Sequence, residues 1–436
     1  MKVSTSLPFA LAMAVPRTAF SYAAYVGAPL LLVNWLSSRT YSKALFLLVF
    51  LGVSAFVNRG LGLSFSVTAW ALELALLLPF LAAALGFMPA RYVNGRRLIR
   101  ILNIIVFATS IISLVQQGFP LRLPYIHYLP DFWNGGFGNG GAKIVTVIGF
   151  FGIAEALTRK RKMSLLDNRV LIVAAFNFVM PNFILGMLAG GAALIIFLRR
   201  NRLLLFFGAI LAMLFVPYLE YRAEQKNDVF TETYGANPKL YAFITVGNLY
   251  QEQPHAVLVG TGLGQFTSQP AIWSSPINRY ISTHEMPSLP GMFSAEVHNR
   301  YVAPALLRFK TQKWAIYSSA NKPYSGITQM LAELGVPLTL LLLYTAYRIF
   351  WRDSRSDFGR AAFLFAVFVN FLDPQVDSPW FGVMLIATLE AFRRDAALKA
   401  QGLWPGNERE AGVFAKPISR PPEAAPAMAS TRAGGR

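Results

Sequence analysis

Leu63-Ser-Phe-Ser-Val-Thr-Ala-Trp-Ala-Leu-Glu73-Leu-Ala-Leu-Leu-Leu-Pro79-Phe-Leu-Ala-Ala-Ala-Leu-Gly-Phe-Met88 decides the fold class. One ionisable side chain, Glu73, interrupts an apolar run long enough to cross a hydrocarbon layer of about 30 Å as a single helix. The run has no polar face, so it needs apolar surroundings on every side. Lipid supplies these, and a helix is one of the two structures that satisfy their own backbone there.

The same signal recurs along the chain. Apolar stretches lie near 18–36, 44–58, 63–88, 101–116, 144–158, 170–180, 183–198, 203–219, 326–347, 361–372 and 380–392. The protein is 55% hydrophobic and 14% charged over 436 residues, against about 25% charged in a soluble chain. The mean hydropathy is +0.44. These features predict an all-α polytopic membrane protein of about eleven (ten to twelve) transmembrane helices.

The net charge of +19 does not point to nucleic acid, because the basic residues sit in short clusters between apolar stretches. One set of loops holds Arg39 and Lys43, four arginines from Arg91 to Arg100, five basic residues from Arg159 to Arg169, three from Arg199 to Arg202, and four arginines from Arg348 to Arg360. The opposite set holds Arg59, Arg122 and Lys143. Eighteen against three places the first set in the cytoplasm, because positive charge is retained there. The one large hydrophilic loop, 220–324, then lies on the extracytoplasmic side. Lys2 and Arg17 favour the opposite side to the one this count assigns to the N-terminus. The expected organisation is transmembrane helices over 1–219, a periplasmic loop over 220–324, further transmembrane helices over 325–392, and a disordered basic cytoplasmic tail over 393–436.

The chain has no cysteine, which excludes disulfides, thiolate metal sites and a cysteine nucleophile. Its four histidines are scattered, so no metal site is expected. No internal repeat is evident, which weighs against a transporter.

Three motifs carry the chemistry. Val257-Leu-Val-Gly260-Thr-Gly262-Leu-Gly264-Gln-Phe266 reads as a short β-like run entering a glycine-rich turn. Such a turn serves either as a structural reversal or as a place of close backbone approach to a ligand. Tyr324-Ser-Gly-Ile-Thr-Gln-Met-Leu-Ala-Glu333-Leu-Gly335 opens the helix after the loop, with Ser325 as a cap. Its Glu333 requires a partner near the membrane surface, either a neighbouring helix or a substrate. Ser294-Ala-Glu296-Val-His298-Asn-Arg300-Tyr301 gathers a carboxylate, an imidazole and a guanidinium, followed by Arg308 and Lys310. Arg279 lies a little earlier. Glu73 is a further intramembrane acid for which a functional role is the first expectation. The loop's aromatic residues, Trp273, Tyr280 and Trp314 among them, suit the faces of sugar rings or a small packed domain equally.

Together these features resemble the O-antigen polymerase and O-antigen ligase superfamily of bacterial inner-membrane glycosyltransferases. Phe132-Trp-Asn-Gly-Gly-Phe-Gly-Asn-Gly-Gly141 is similar to that family's glycine- and asparagine-rich external loop. Leu258–Phe266 is similar to its "fGvGlGnf" turn, and Gln329–Gly335 to its "lLaElG" helix start. Ligases of the family carry a His eleven residues before the glycine that aligns with Gly335; here that position is Tyr324. The resemblance therefore implies a polymerase of a capsule, exopolysaccharide or O-antigen repeat unit, with a ligase or a lipid-linked-sugar flippase as alternatives. It implies a donor glycan on undecaprenyl diphosphate, transfer to a sugar hydroxyl at the periplasmic face, and no cofactor. A flippase and a chain-length regulator are the implied protein partners. Within that chemistry, His298 or Glu296 would take the hydroxyl proton and Arg300 would stabilise the diphosphate, helped by Arg279, Arg308 and Lys310. Gly260, Gly262, Gly264, Tyr324 and Glu333 would line the substrate site.

Overall fold

A computed structural model describes residues 19–88, 94–116, 133, 135, 141–158, 165–181, 183–198, 238–275, 293–310, 324–354 and 356–400. Among them there are helices and no strands. The chain divides into two units, Met1–Arg393 and Arg394–Arg436. The first contains every feature discussed below except the last turns of the final helix.

Its helices are α1 (Ala19–Leu36), α2 (Tyr41–Gly60), α3 (Val67–Ala84), α4 (Gly95–Gln116), α5 (Gly141–Leu157), α6 (Leu165–Val179) and α7 (Ile184–Leu198). After 199–237, which lie outside the described residues, come α8 (Pro238–Glu252), α9 (His255–Val259) and α10 (Gln269–Ser274). A π-helical turn (His298–Val302) runs into α11 (Ala303–Lys310). Helix α12 (Gly326–Ala346) continues through a π-helical segment to Asp353, and α13 (Asp357–Leu372) and α14 (Pro379–Ala400) follow.

Four of these helices are long and apolar enough to cross a membrane: α2, α3, α4, and α12 with its extension to Asp353. Shorter apolar helices cover Gly27–Leu36, Arg169–Val179 and Ile184–Phe197. The expected span 203–219 lies outside the described residues. The surface of these helices is itself apolar: Phe56 is 80% exposed and Val115 66%, and Val33, Val49, Ile104, Ile112 and Leu340 are exposed as well. Such stripes are rare on soluble proteins and are the normal covering of a helix in lipid. The chain is a helical membrane protein.

Packing inside the bundle relies on small residues and a few polar links, because apolar burial gives no driving force between helices in lipid. A Cβ on Gly149 would fall 2.7 Å from the Asn177 carbonyl carbon, so α5 and α6 approach at backbone distance there. Asn103 on α4 donates to the Ile148 carbonyl at 2.9 Å, and Asn177 donates to the Asn103 carbonyl at 2.9 Å. Phe150 and Phe365 stack at 3.9 Å, and Phe365, Phe381 and Phe80 extend the aromatic column from α5 through α13 and α14 to α3.

Further polar contacts lie at the two ends of the bundle. At one end, Arg96 and Arg100 both reach Glu155 at 3.1 Å. Lys43 donates to the Leu85 carbonyl at 2.8 Å, and Arg393 to that of Gly86 at 3.2 Å. This end carries arginines of the basic loops. The other end gathers the close of α2, the starts of α3, α5 and α12, and the close of α13.

Two local readings of the sequence are corrected. The run before the glycine turn is helical, α9, and not β-like. It is five residues long, follows Pro254 at the N-cap, and has no strand to pair with among the described residues, and periodicity cannot separate the two states over so short a run. The last helix continues to Ala400, past the expected boundary at 392. The sequence Arg393-Arg-Asp-Ala-Ala-Leu-Lys-Ala400 is rich in strong helix formers.

Candidate functional site: a glycine turn docked in a broken helix

Helix α12 starts with a capping box. The Ser325 hydroxyl faces the Thr328 amide, and the Thr328 hydroxyl accepts from the Ser325 amide at 2.9 Å. The helix breaks after two turns, at Gly335, where φ is 77° and ψ 170°. Pro337 lies just beyond. A proline has no N–H, so the Glu333 carbonyl loses the partner that a continuous helix would give it. The Gly262 amide replaces that partner at 3.1 Å, and the Thr261 amide bonds the Ala332 carbonyl at 2.8 Å. Backbone broken at this depth is tolerated only when other protein satisfies it, and here the glycine turn does so.

Contact at this distance excludes side chains. A Cβ on Gly260 would overlap the Glu333 carbonyl, and one on Gly335 would lie 2.8 Å from the Gly260 amide nitrogen. Both glycines have positive φ.

The turn also closes around the Glu333 side chain, which is 1% exposed. The Gly264 amide donates to Oε2 at 3.0 Å; those of Phe266 and Ser268 donate to Oε1 at 2.9 and 3.2 Å. Three backbone donors thus converge on one buried carboxylate. Further links fix the turn to the ends of α2 and α3. Asn58 donates to the Gly260 carbonyl at 3.0 Å. Gln265 and Ser66 bond reciprocally, side chain to backbone, at 2.9 and 3.0 Å.

His298 reaches the same turn from the π-helical segment. Its Nδ1 donates to the Phe266 carbonyl at 2.6 Å, and its Nε2 is buried without a partner. Burial lowers its pKa to about 4, against the opposing effect of the Phe266 bond, so the imidazole is neutral near neutral pH. The Phe266 backbone therefore connects Glu333, through its N–H, to His298, through its carbonyl. Tyr324 is buried against the Phe266 ring and donates its hydroxyl to the Tyr301 carbonyl at 3.2 Å.

The structure thus brings together Gly260, Gly262, Gly264, Glu333, His298 and Tyr324. It buries His298 and leaves Glu296 and Arg300 exposed. The Arg300 guanidinium pairs with Glu252 and lies over the Tyr301 ring. The Glu296 amide bonds Ser64 Oγ at 2.9 Å. Tyr301 donates to Glu252 at 2.8 Å; burial, followed by that bond, pushes its pKa up to about 12. Arg279 lies outside the described residues. Arg308 and Lys310 are placed on α11, with side chains outside the described set.

A second polar group at this end was not singled out in the sequence. Lys143, at the start of α5, bonds both oxygens of Asp373 at 2.8 and 2.7 Å, and Gln375 adds a third bond to that carboxylate at 2.7 Å. Lys239 of α8 reaches towards the Tyr324 carbonyl at 3.4 Å, beside the α12 N-cap. Burial lowers its pKa to about 8; Asp373 opposes the shift and Lys143 adds to it. Lys143 had stood out only as one of three external charges. Its partner comes 230 positions later, and no sequence pattern links the two. Among the described residues no three His, Asp and Glu side chains gather as a metal ion would require.

No protein-family model matches the chain, and no curated protein matches it.

Proposed function

We propose that the protein is a bacterial inner-membrane polymerase of a surface polysaccharide, acting on glycans carried by undecaprenyl diphosphate at the periplasmic face. The observation that carries this reading is the docking of Gly260–Ser268 into the break at Gly335. These are two of the three segments whose sequences resemble the polymerase and ligase superfamily. They lie 65 to 71 positions apart where they bond, and each supplies what the other lacks. The charge count supports placing this end outside, because the opposite end carries arginines of the basic loops.

In the proposed reaction, an acceptor sugar hydroxyl attacks the anomeric carbon of the donor glycan. The new C–O bond forms as the bond to the lipid diphosphate breaks. The diphosphate leaves with the electron pair and the hydroxyl proton passes to a base. Two contributions are needed from the protein: positive charge for the leaving diphosphate and an acceptor for the proton. Arg300, exposed beside Glu252, suits the first for its bidentate geometry. Lys143 and Lys239 add cations beside the α12 N-terminus. The bare Nε2 of His298 suits the second, with Nδ1 held by Phe266 as an orienting group; its use requires local opening that exposes the buried imidazole.

The test is the size of the lipid-linked glycan in a deletion strain and in one restored with wild type, Arg300→Ala or His298→Ala. Single repeats in the deletion strain and long chains on restoration are expected. Long but unattached chains would instead indicate a ligase, and repeats left facing the cytoplasm a flippase. Full-length polymer from both variants at normal membrane levels would remove these two residues from the mechanism.

A further inference from the structure

Glu73 takes no part in the glycine turn or in the proposed transfer, yet it is wholly buried. It lies on α3, six residues after the helix start, or about 9 Å deep at the α-helical rise. Its Oε1 accepts from Gln329 Nε2, on α12, at 3.0 Å. Its Oε2 is buried without a partner, and so is Oε1 of Gln329. The two orphan atoms belong to the two groups already joined, and both are acceptors. Nothing in an ionised pair could satisfy either.

The charged groups acting on Glu73 are Asp377, at the approach to α14, and Glu333 on α12. Both are carboxylates. Asp377 accepts the Gln269 amide of α10 at 3.1 Å, and Glu333 is held by the glycine turn. An ionised Glu73 would therefore be a buried charge set against two other carboxyl groups, and no cation is among the groups acting on it. A charge buried without a partner is avoided by neutralising it.

One proton resolves both deficits. On Glu73 Oε2 it turns an orphan acceptor into a donor, and Gln329 Oε1 is the acceptor that lacks one. Turning the Gln329 amide over exchanges the two roles and still requires one proton.

We propose that Glu73 holds a proton, and that Glu73 and Gln329 form a carboxylic acid–amide pair joining α3 to α12 inside the membrane. The site's ligand is the proton itself. Its loss removes one hydrogen bond and sets the Glu73 carboxylate against the carboxyl groups of Glu333 on α12 and Asp377 before α14. Helix α12 carries Glu333, so the pair links the protonation state of the bundle to the seat of the glycine turn. The inference stands on hydrogen-bond accounting and is independent of the glycan chemistry proposed above.

The experiment is infrared difference spectroscopy of the full chain, purified in lipid nanodiscs, as wild type, Glu73→Gln and Gln329→Leu. The expected result is a protonated-carboxyl C=O band in the wild type at pH 7. It should be absent from Glu73→Gln and moved to higher frequency in Gln329→Leu, where the acid has lost its amide partner. Raising the pH should abolish the band. Above that pH the melting temperature of the wild type should fall while that of Glu73→Gln, whose amide needs no proton, stays level. If the wild type minus Glu73→Gln spectrum shows only ionised carboxylate bands at pH 7, the proton is not there. If the band is present but unmoved by Gln329→Leu, the acid is protonated without the pair. Either result overturns the proposal, and the Gln329→Leu arm tests it even where Glu73→Gln fails to fold.

Discussion

Replacing Glu333 by glutamine should release the glycine turn while leaving the helical bundle in place. Phe266 and Ser268 donate to Oε1 and Gly264 donates to Oε2. Glutamine keeps one oxygen, so two of these bonds survive as neutral ones. The Gly264 amide then faces an NH₂ group, donor against donor. A buried donor left unsatisfied costs about 1–3 kcal/mol, and weakening the surviving bonds adds about 1 kcal/mol. The sum is about 2–4 kcal/mol against docking of the turn. At about 1.4 kcal/mol per tenfold change, the open state becomes roughly 30- to 700-fold more populated. Hydrogen exchange measured by mass spectrometry reads this directly, because amides of a locally opening segment exchange in proportion to its open population. Peptides covering 260–268 should exchange faster by that factor, and peptides from α5 and α6 should not change. Unchanged exchange at 260–268 would refute the claim that the carboxylate holds the turn. A uniform rise over the whole chain would refute the claim that the turn opens separately from the bundle.

Two further outcomes follow from buried charge. Lys143→Met leaves Asp373, 0% exposed, without its cation and should cost about 3–5 kcal/mol; the double change with Asp373→Asn should recover much of that, as read from melting temperature in detergent. His298 has a pKa lowered from 6.5 to about 4, so the unfolded segment binds more protons than the folded one between those values. Docking of the His298 segment should therefore be complete above about pH 6.5 and weaken as pH falls towards 4, and His298→Gln should lose that dependence in a proteolysis assay of the 293–310 segment.

The bundle itself was legible from local pattern. Lipid imposes one demand on every residue of a spanning helix, so the apolar runs beginning near 44, 63, 101 and 326 stand out without knowledge of their neighbours. Ser325 as a cap and the glycine turn as a structural device were legible for similar reasons, since capping and positive φ are requirements of the local backbone. The β-like reading of Val257–Val259 was wrong for the opposite reason: three apolar residues fit a strand or a helix, and Pro254 and the packing against α12 settled it. The 294–301 cluster shows the same limit. His298 and Arg300 are two residues apart in sequence, yet the turn buries one and exposes the other.

Sequence alone determined that this chain is a helical membrane protein and which segments are unusual enough to matter. Tertiary structure alone decided that those segments belong to one another. The Gly260–Ser268 turn fills the break that Gly335 and Pro337 create, Glu333 accepts three amides from it, and Lys143 meets Asp373. Glu73 finds its half-satisfied partner in Gln329, 256 positions away. The physical reason is range. Hydropathy and backbone propensity act within a few residues and can be read in order along the chain. A buried hydrogen bond or ion pair needs a donor and an acceptor at about 3 Å, and only the packing of helices distant in sequence brings them that close.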